Sequence, residues 1–212
     1  ENLIESLQKE RCNSKYLPGI RLSENISFFS RVDKCIEGCK IVFLAVPSGH
    51  IREMCKKIAP FAADGVFVVN LAKGIECNGF KRMSEVISEE ISFAEAGTLS
   101  GPNYSIEVAN RLSTASVIAS KNNELMEHVK KIMSTNYFKV YPHPDIIGVE
   151  ICGAVKNVPS IAAGIVSGIG AGDNALAGVI TLGLSEMNKI GMHFGAKRST
   201  VYGLAGLGDL VL

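Results

Sequence analysis

The chain reads as an α/β protein, a doubly wound parallel sheet followed by an all-α region. Two observations predict this. Short unbroken apolar runs alternate with helical segments as far as residue 141, and a parallel strand covered on both faces reads as such a run. Beyond Asp145 no strand pattern recurs and apolar helical periodicity takes over.

Residues 2–10 carry Leu3, Ile4 and Leu7 at helical spacing. Tyr16-Leu17-Pro18-Gly19-Ile20 reads as a turn, and a second amphipathic helix is expected over 24–37. Ile41 to Val46 is a continuous apolar run stopped by Pro47-Ser48, with a helix over 49–59. Val66 to Asn70 is a second such strand, followed by Leu71-Ala72-Lys73-Gly74 and a helix near 80–90. A short strand near Gly97–Ser100 ends at Gly101-Pro102-Asn103. Helix 104–110, strand Ala115–Ala119, helix 122–134 and strand 137–141 complete the series.

Pro142 and Pro144 bar a helix at the junction, and Asp145 can cap the helix that follows. His143 reads as a surface residue of this link, with nothing local to pair with it as a base. Helices are expected over 146–167, 173–191 and 197–204, with Pro159 kinking the first. The junction divides the chain into units of 1–143 and 144–212.

Lys plus Arg is 22 against 21 acids, which gives no reason to expect a nucleic-acid partner. The six cysteines read as reduced thiols of a cytoplasmic protein, and no second cysteine pair completes a zinc site with Cys35 and Cys39, so no metal is expected. The run 146–171 approaches the length of a membrane span, but its Lys156, Asn157, Pro159 and glycines favour a buried helix in a soluble protein.

Ligands of doubly wound sheets bind beyond the carboxyl ends of the strands. Three such ends carry Pro47-Ser48-Gly49, Ala72-Lys73-Gly74 and Gly101-Pro102-Asn103. Lys73 there is either a solvated loop residue or a contact for an anion, and Asn103 reads first as a helix N-cap. No Gly-x-Gly-x-x-Gly follows a strand; Gly168-Ile-Gly170-Ala-Gly172 follows a helix and reads as a helix end and turn. Between Ile146 and Val166 the ionisable side chains are Glu150 and Lys156, apart from the thiol of Cys152. Lys156 either snorkels to the surface on its stem or is a desolvated proton donor and acceptor, with Asn157 beside it and Gly153 leaving room for a close neighbour. Asp209, in a glycine-loosened frame, either caps a helix or faces Lys156 from another segment.

On these residues the chain resembles the bacterial-type NAD(P)-dependent glycerol-3-phosphate dehydrogenases nearly end to end. The likeness rests on Ala45-Val46-Pro47-Ser48, Ala72-Lys73-Gly74, Leu99-Ser100-Gly101-Pro102, Gly148-Val149-Glu150, Gly153-Ala154-Val155-Lys156-Asn157, Asn174-Ala175, Ile180-Thr181 and the closing Gly203 to Leu212. The resemblance implies a Rossmann-like dinucleotide domain and a helical substrate domain, with NAD or NADP as cofactor. It implies interconversion of dihydroxyacetone phosphate and glycerol 3-phosphate for phospholipid synthesis, and a homodimer without a membrane span. It implies that Lys156 is the general acid/base, that Asn157 orients substrate beside it, and that Lys73 contacts substrate and cofactor. Asp209, Gly101 and Asn103 are implied at the substrate, and Pro47 and Ser105 at the cofactor. The family's first strand and glycine-rich turn are expected before Glu1, and a Ser-Arg-Asn segment after Leu212. Asn103 stands where bacterial members usually carry Ser or Thr, Pro159 where an aliphatic residue is usual, and Leu176 and Leu182 where arginines are common.

The rival readings are a 3-hydroxyacid or 6-phosphogluconate type dehydrogenase and a non-catalytic nucleotide-binding module.

Overall fold

The computed structural model describes residues 2–212. The chain opens with α1 (Asn2–Glu10) and a small antiparallel pair, β1 (Cys12–Asn13) and β2 (Leu17–Arg21). The turn expected at 16–20 therefore lies just before Leu17, and Pro18 and Gly19 sit on an exposed edge strand, where a missing N–H does no harm. The helix expected over 24–37 shrinks to α2 (Val32–Ile36). Arg11 contributes to this: its guanidinium donates to the carbonyl of Ile26 at 2.8 Å and to that of Ser23 at 2.6 Å, and Ser23 C=O also accepts Ile26 N–H at 3.1 Å, which closes a turn in place of a helical ladder.

The main sheet is built from β3 (Ile41–Leu44), β4 (Phe67–Asn70), β5 (Glu95–Ser100), β6 (Thr114–Ser120) and β7 (Phe138–His143), in that spatial order. Between them lie α3 (Ile51–Ile58), α4 (Met83–Glu90), α5 (Ser105–Ala109) and α6 (Asn123–Met133). Successive β4 side chains serve opposite faces. Val68 joins Ile51, Cys55, Val86 and Ile87 under α3 and α4, whereas Val69 joins Leu99, Leu125 and Val129 under α6.

The sheet is mixed, which corrects the expectation of a fully parallel one. β3, β4 and β5 are parallel, β5 and β6 antiparallel, and β6 and β7 parallel. The connection from β5 to β6 explains the reversal. A parallel return needs a crossover as long as the strand, but α5 has 5 residues, a rise of roughly 7 Å. The chain therefore starts β6 at the edge where β5 ended.

This reversal delivers the next helix. β7 ends at the far edge, so α7 (Ile146–Val155) climbs back to the edge where β4 and β5 end. Asp145 caps it as expected, accepting from the Gly148 N–H at 2.9 Å. His143 accepts the Asp145 N–H through Nδ1 at 3.1 Å, a structural use of that ring. The helix breaks at Lys156 and resumes as α8 (Asn157–Gly168), in line with the kink expected from Pro159. Then come α9 (Asp173–His193), α10 (Arg198–Val201) and a single π-helical turn, Leu204–Gly208.

The apolar run is not buried throughout. Most of α7 is buried, but α8 has no buried residue, and Val158, Ile161 and Ile165 are exposed at helical spacing. By length and composition Ile146–Gly168 could cross a membrane. In the fold the break at Lys156 divides it, and α8 packs mainly on α9.

Asp145 also ties α7 to α10, accepting from Lys197 N–H at 2.7 Å and from the Thr200 hydroxyl at 2.6 Å. Burial acts to raise its pKa, but the Thr200 hydroxyl and the Gly148 and Lys197 N–H groups prevail and hold it below the ordinary carboxylate value. The stability it confers is therefore complete above about pH 4 and drains as pH falls through the lower folded value. Asp145→Asn is expected to cost roughly 2 kcal/mol at neutral pH, read by urea denaturation, and to flatten the acid limb of the Tm–pH curve.

Candidate active site

Asn70 closes β4 with its side chain. Its Oδ1 accepts from Ala72 N–H at 2.9 Å and its Nδ2 donates to Ala72 C=O at 2.8 Å, which turns the backbone and launches Lys73 off the strand end. The Lys73 ammonium donates to the Gly101 carbonyl at 3.1 Å and to Asp209 Oδ2. From the opposite side, Lys156 Nζ lies 2.9 Å from Asp209 Oδ1 as an ion pair off the line of a hydrogen bond, and donates to the Asp209 carbonyl at 3.2 Å. Asp209 is 0% exposed, and the side chains of Lys73 and Lys156 are 23% and 15% exposed. Of the two readings of Lys156, the paired and largely desolvated lysine is the one observed. Of the two readings of Asp209, it is the acid that faces Lys156.

Two glycines permit this meeting. A Cβ on Gly206 would fall 2.0 Å from the Val201 carbonyl oxygen, so only glycine allows the π turn to press on α10 and deliver Asp209 inward. A Cβ on Gly153 would sit 3.3 Å from Ser100 Oγ and 3.5 Å from Lys73 Cγ. The close neighbours anticipated at Gly153 are thus the Lys73 stem and a β5 hydroxyl.

One carboxylate between two ammonium groups leaves a local excess of positive charge at the strand ends. For Lys73, burial is the largest influence and lowers its pKa. The hydrogen bond and charge of Asp209 oppose this, the nearby Lys156 cation adds to it, and the balance is a lowered value. Below the cluster, burial pushes the Cys152 thiol up to about 12, so it is not a nucleophile. All six cysteines are free.

Asn103, Ser105, Asn157 and Pro47 make no hydrogen bond to this cluster. Asn103 is half-buried and donates to Ser116 Oγ at 3.2 Å. The N-cap of α5 is Tyr104, which corrects the capping expected of Asn103. Ser105 is exposed at the first position of α5, and Asn157 is exposed at the start of α8. Pro47 lines a cleft of about 450 Å³ with Ala45, Val46, Ser48, Leu71, Ala72 and Lys73, at the carboxyl ends of β3 and β4. Its lining is apolar apart from the Ser48 hydroxyl and the Lys73 ammonium.

One polar cluster next to the site escaped the sequence reading. Glu150, 5% exposed, is held by Arg82 and Ser84. The signal was an acid in an apolar helix, which demands a partner; its identity was not readable from a segment so far upstream.

Comparison with known proteins shows the family and the fold. A family model described as NAD-dependent glycerol-3-phosphate dehydrogenase N-terminus matches residues 1–126, and its C-terminus counterpart matches residues 145–212. A glycerol-3-phosphate dehydrogenase [NAD(P)+] of Halothermothrix orenii is 44% identical over 211 residues, covering 100% of this chain and 62% of that protein. The namesake from Clostridium acetobutylicum is 40% identical over 212 residues, covering 100% of this chain and 64% of its own length. The crystal structure of glycerol-3-phosphate dehydrogenase from Coxiella burnetii superposes with a TM-score of 0.95 at 34% identity, covering 100% of this chain and 65% of its own. The chain thus spans less than two thirds of the relatives it matches.

Removing the shared carboxylate tests the cluster directly. Asp209→Asn leaves two ammonium groups facing each other and is expected to cost roughly 3–5 kcal/mol, measured by denaturation. With the opposing carboxylate gone, the Lys73 pKa is expected to fall further, as read by amine labelling against pH.

Proposed function

The chain belongs to the NAD-dependent glycerol-3-phosphate dehydrogenase family, and from that premise we propose that the full-length protein interconverts dihydroxyacetone phosphate and sn-glycerol 3-phosphate with NAD(P)H. The observation that carries the reading is the Asp209 carboxylate bridging Lys73 and Lys156 where β4 and β5 end. The cofactor, NAD or NADP, would supply or accept the hydride at the substrate's central carbon. Pro47, Lys73 and Ser105 would hold it, the first two from the cleft beyond β3 and β4.

The chain's own residues handle the proton. As hydride reaches the ketone carbon, its oxygen gains negative charge. The Lys156 ammonium stabilises that oxygen and then protonates it; in the reverse direction the neutral amine removes the hydroxyl proton. Asp209 keeps the ammonium oriented. Lys73 supplies a second cation toward the substrate, with Gly101 fixing its direction through a carbonyl. Asn157 and Asn103 are exposed or half-buried beside the cluster and are read as substrate contacts.

The same proposal divides the chain into a dinucleotide domain, 1–143, and a substrate domain, 144–212. It makes the protein a cytoplasmic homodimer that supplies glycerol 3-phosphate for phospholipid synthesis. The near-neutral charge supports a small-molecule partner over nucleic acid.

The test is a substrate panel with the full-length protein. Dihydroxyacetone phosphate should be reduced in preference to 3-oxo acids, and 6-phosphogluconate should not be oxidised. Lys156→Ala should lower turnover by roughly 10²–10⁴-fold while dinucleotide binding, followed by fluorescence, persists. Near-normal turnover in that variant would remove the lysine from the mechanism.

A further inference from the structure

A buried acid in α7 has no part in that reaction scheme. The Glu150 carboxylate accepts from Ser84 N–H at 2.7 Å, from the Ser84 hydroxyl at 2.7 Å and from Arg82 Nη1 at 2.8 Å. Burial pushes its pKa up, against the Ser84 hydrogen bonds and the Arg82 charge. Arg82 is itself steadied by Glu85, 2.7 Å from its other Nη nitrogen.

The location of Arg82 matters. Segment 73–82 leaves the end of β4 at Lys73 and returns at Arg82, closed by a bridge between Ile75 and Arg82 and by Glu76 N–H donating to Lys81 C=O at 2.9 Å. Arg52 of α3 braces the segment through Glu76 and the adjoining α4 through Glu89, each at 2.9 Å. One end of the segment therefore carries a site lysine. The other end is fastened to the helix that terminates in the second site lysine.

We propose that Glu150 is a positioning residue: through Ser84 and Arg82 it holds segment 73–82 against α7 and so sets the spacing of the Lys73 and Lys156 ammonium groups. The proposal rests on the dehydrogenase reading. The competing view is a purely structural tie. A buried ion pair can often be exchanged for apolar side chains of similar volume without loss of stability, and this separates the two.

The experiment uses the full-length protein with dihydroxyacetone phosphate and NAD(P)H. In Glu150→Gln, which keeps the side-chain shape, kcat is expected to fall roughly tenfold or more, because misplacement near 1 Å can cost up to about 100-fold. Dinucleotide affinity should fall to a lesser extent, because Lys73 is displaced while Pro47 and Ser105, read as sharing the cofactor with it, are untouched. In the double variant Arg82→Met with Glu150→Leu, Tm should recover in part, the buried Ser84 donors having lost their acceptor, while kcat stays low. The double variant carries the same test if Glu150→Gln does not fold. Trace amine labelling needs no turnover: Lys73 should label several-fold faster in the variant, with exposed Lys139 unchanged. Wild-type kcat in folded Glu150→Gln, recovery of kcat together with Tm in the double variant, or unchanged Lys73 labelling each overturns the proposal. A wild-type protein that does not reduce the ketone overturns the functional reading instead, and labelling alone then decides whether Glu150 governs Lys73.

Discussion

A fully buried carboxylate shared by two lysines is the constraint around which the molecule is arranged. Charge of either sign is expensive out of water, so Asp209 cannot be buried without cations, and Lys73 and Lys156 cannot lose water without an anion. The three residues lie on three distant stretches of chain, so satisfying them requires the sheet edge, the central helix and the terminal π turn to come together. The same arrangement concentrates positive charge where strands end. In the proposed reaction, an oxygen gaining negative charge would be stabilised there without reorganising the protein.

The route of α7 follows from a short connection. Because α5 is too short to carry the chain across the sheet, β6 and β7 run opposite to β3, β4 and β5. A helix leaving β7 must then climb toward the ligand edge. It meets that edge at its break, where Pro159 cannot donate to the preceding turn and Lys156 stands at the hinge.

Two further acids on or beside α7 link it to the segments it serves. Asp145 binds the backbone ahead of α10, whose π turn leads to Asp209. Glu150 binds the end of the segment that begins at Lys73. Both are nearly inaccessible and fully engaged, which makes the helix a shared reference for the catalytic candidates. The helical hairpin beyond it is different in kind. α8 leaves the sheet and keeps its apolar stripe uncovered.

Much of this was legible in the chain alone, and for a local reason. Apolar runs at strand ends, prolines at the junction, Asp145 as a cap and a lysine inside an apolar helix depend on neighbours within a turn or two. The motifs around Lys73, Lys156 and Asp209 stood out as candidates before any coordinates, and the family resemblance supplied their implied roles. Strand direction at β6 was not readable, because it depends on whether a linker can span the sheet. The lost helix over 24–31 was not readable either, because Arg11, from outside the segment, captures the Ile26 carbonyl and that of Ser23 just before it. Partners of buried charges lie furthest from local reach. Lys73 and Asp209 are 136 residues apart, and Ser84 and Glu150 are 66 apart. The sequence by itself determined which groups must be paired; only the tertiary structure decided with whom, because burial creates the demand locally while the fold alone brings distant groups within a hydrogen bond.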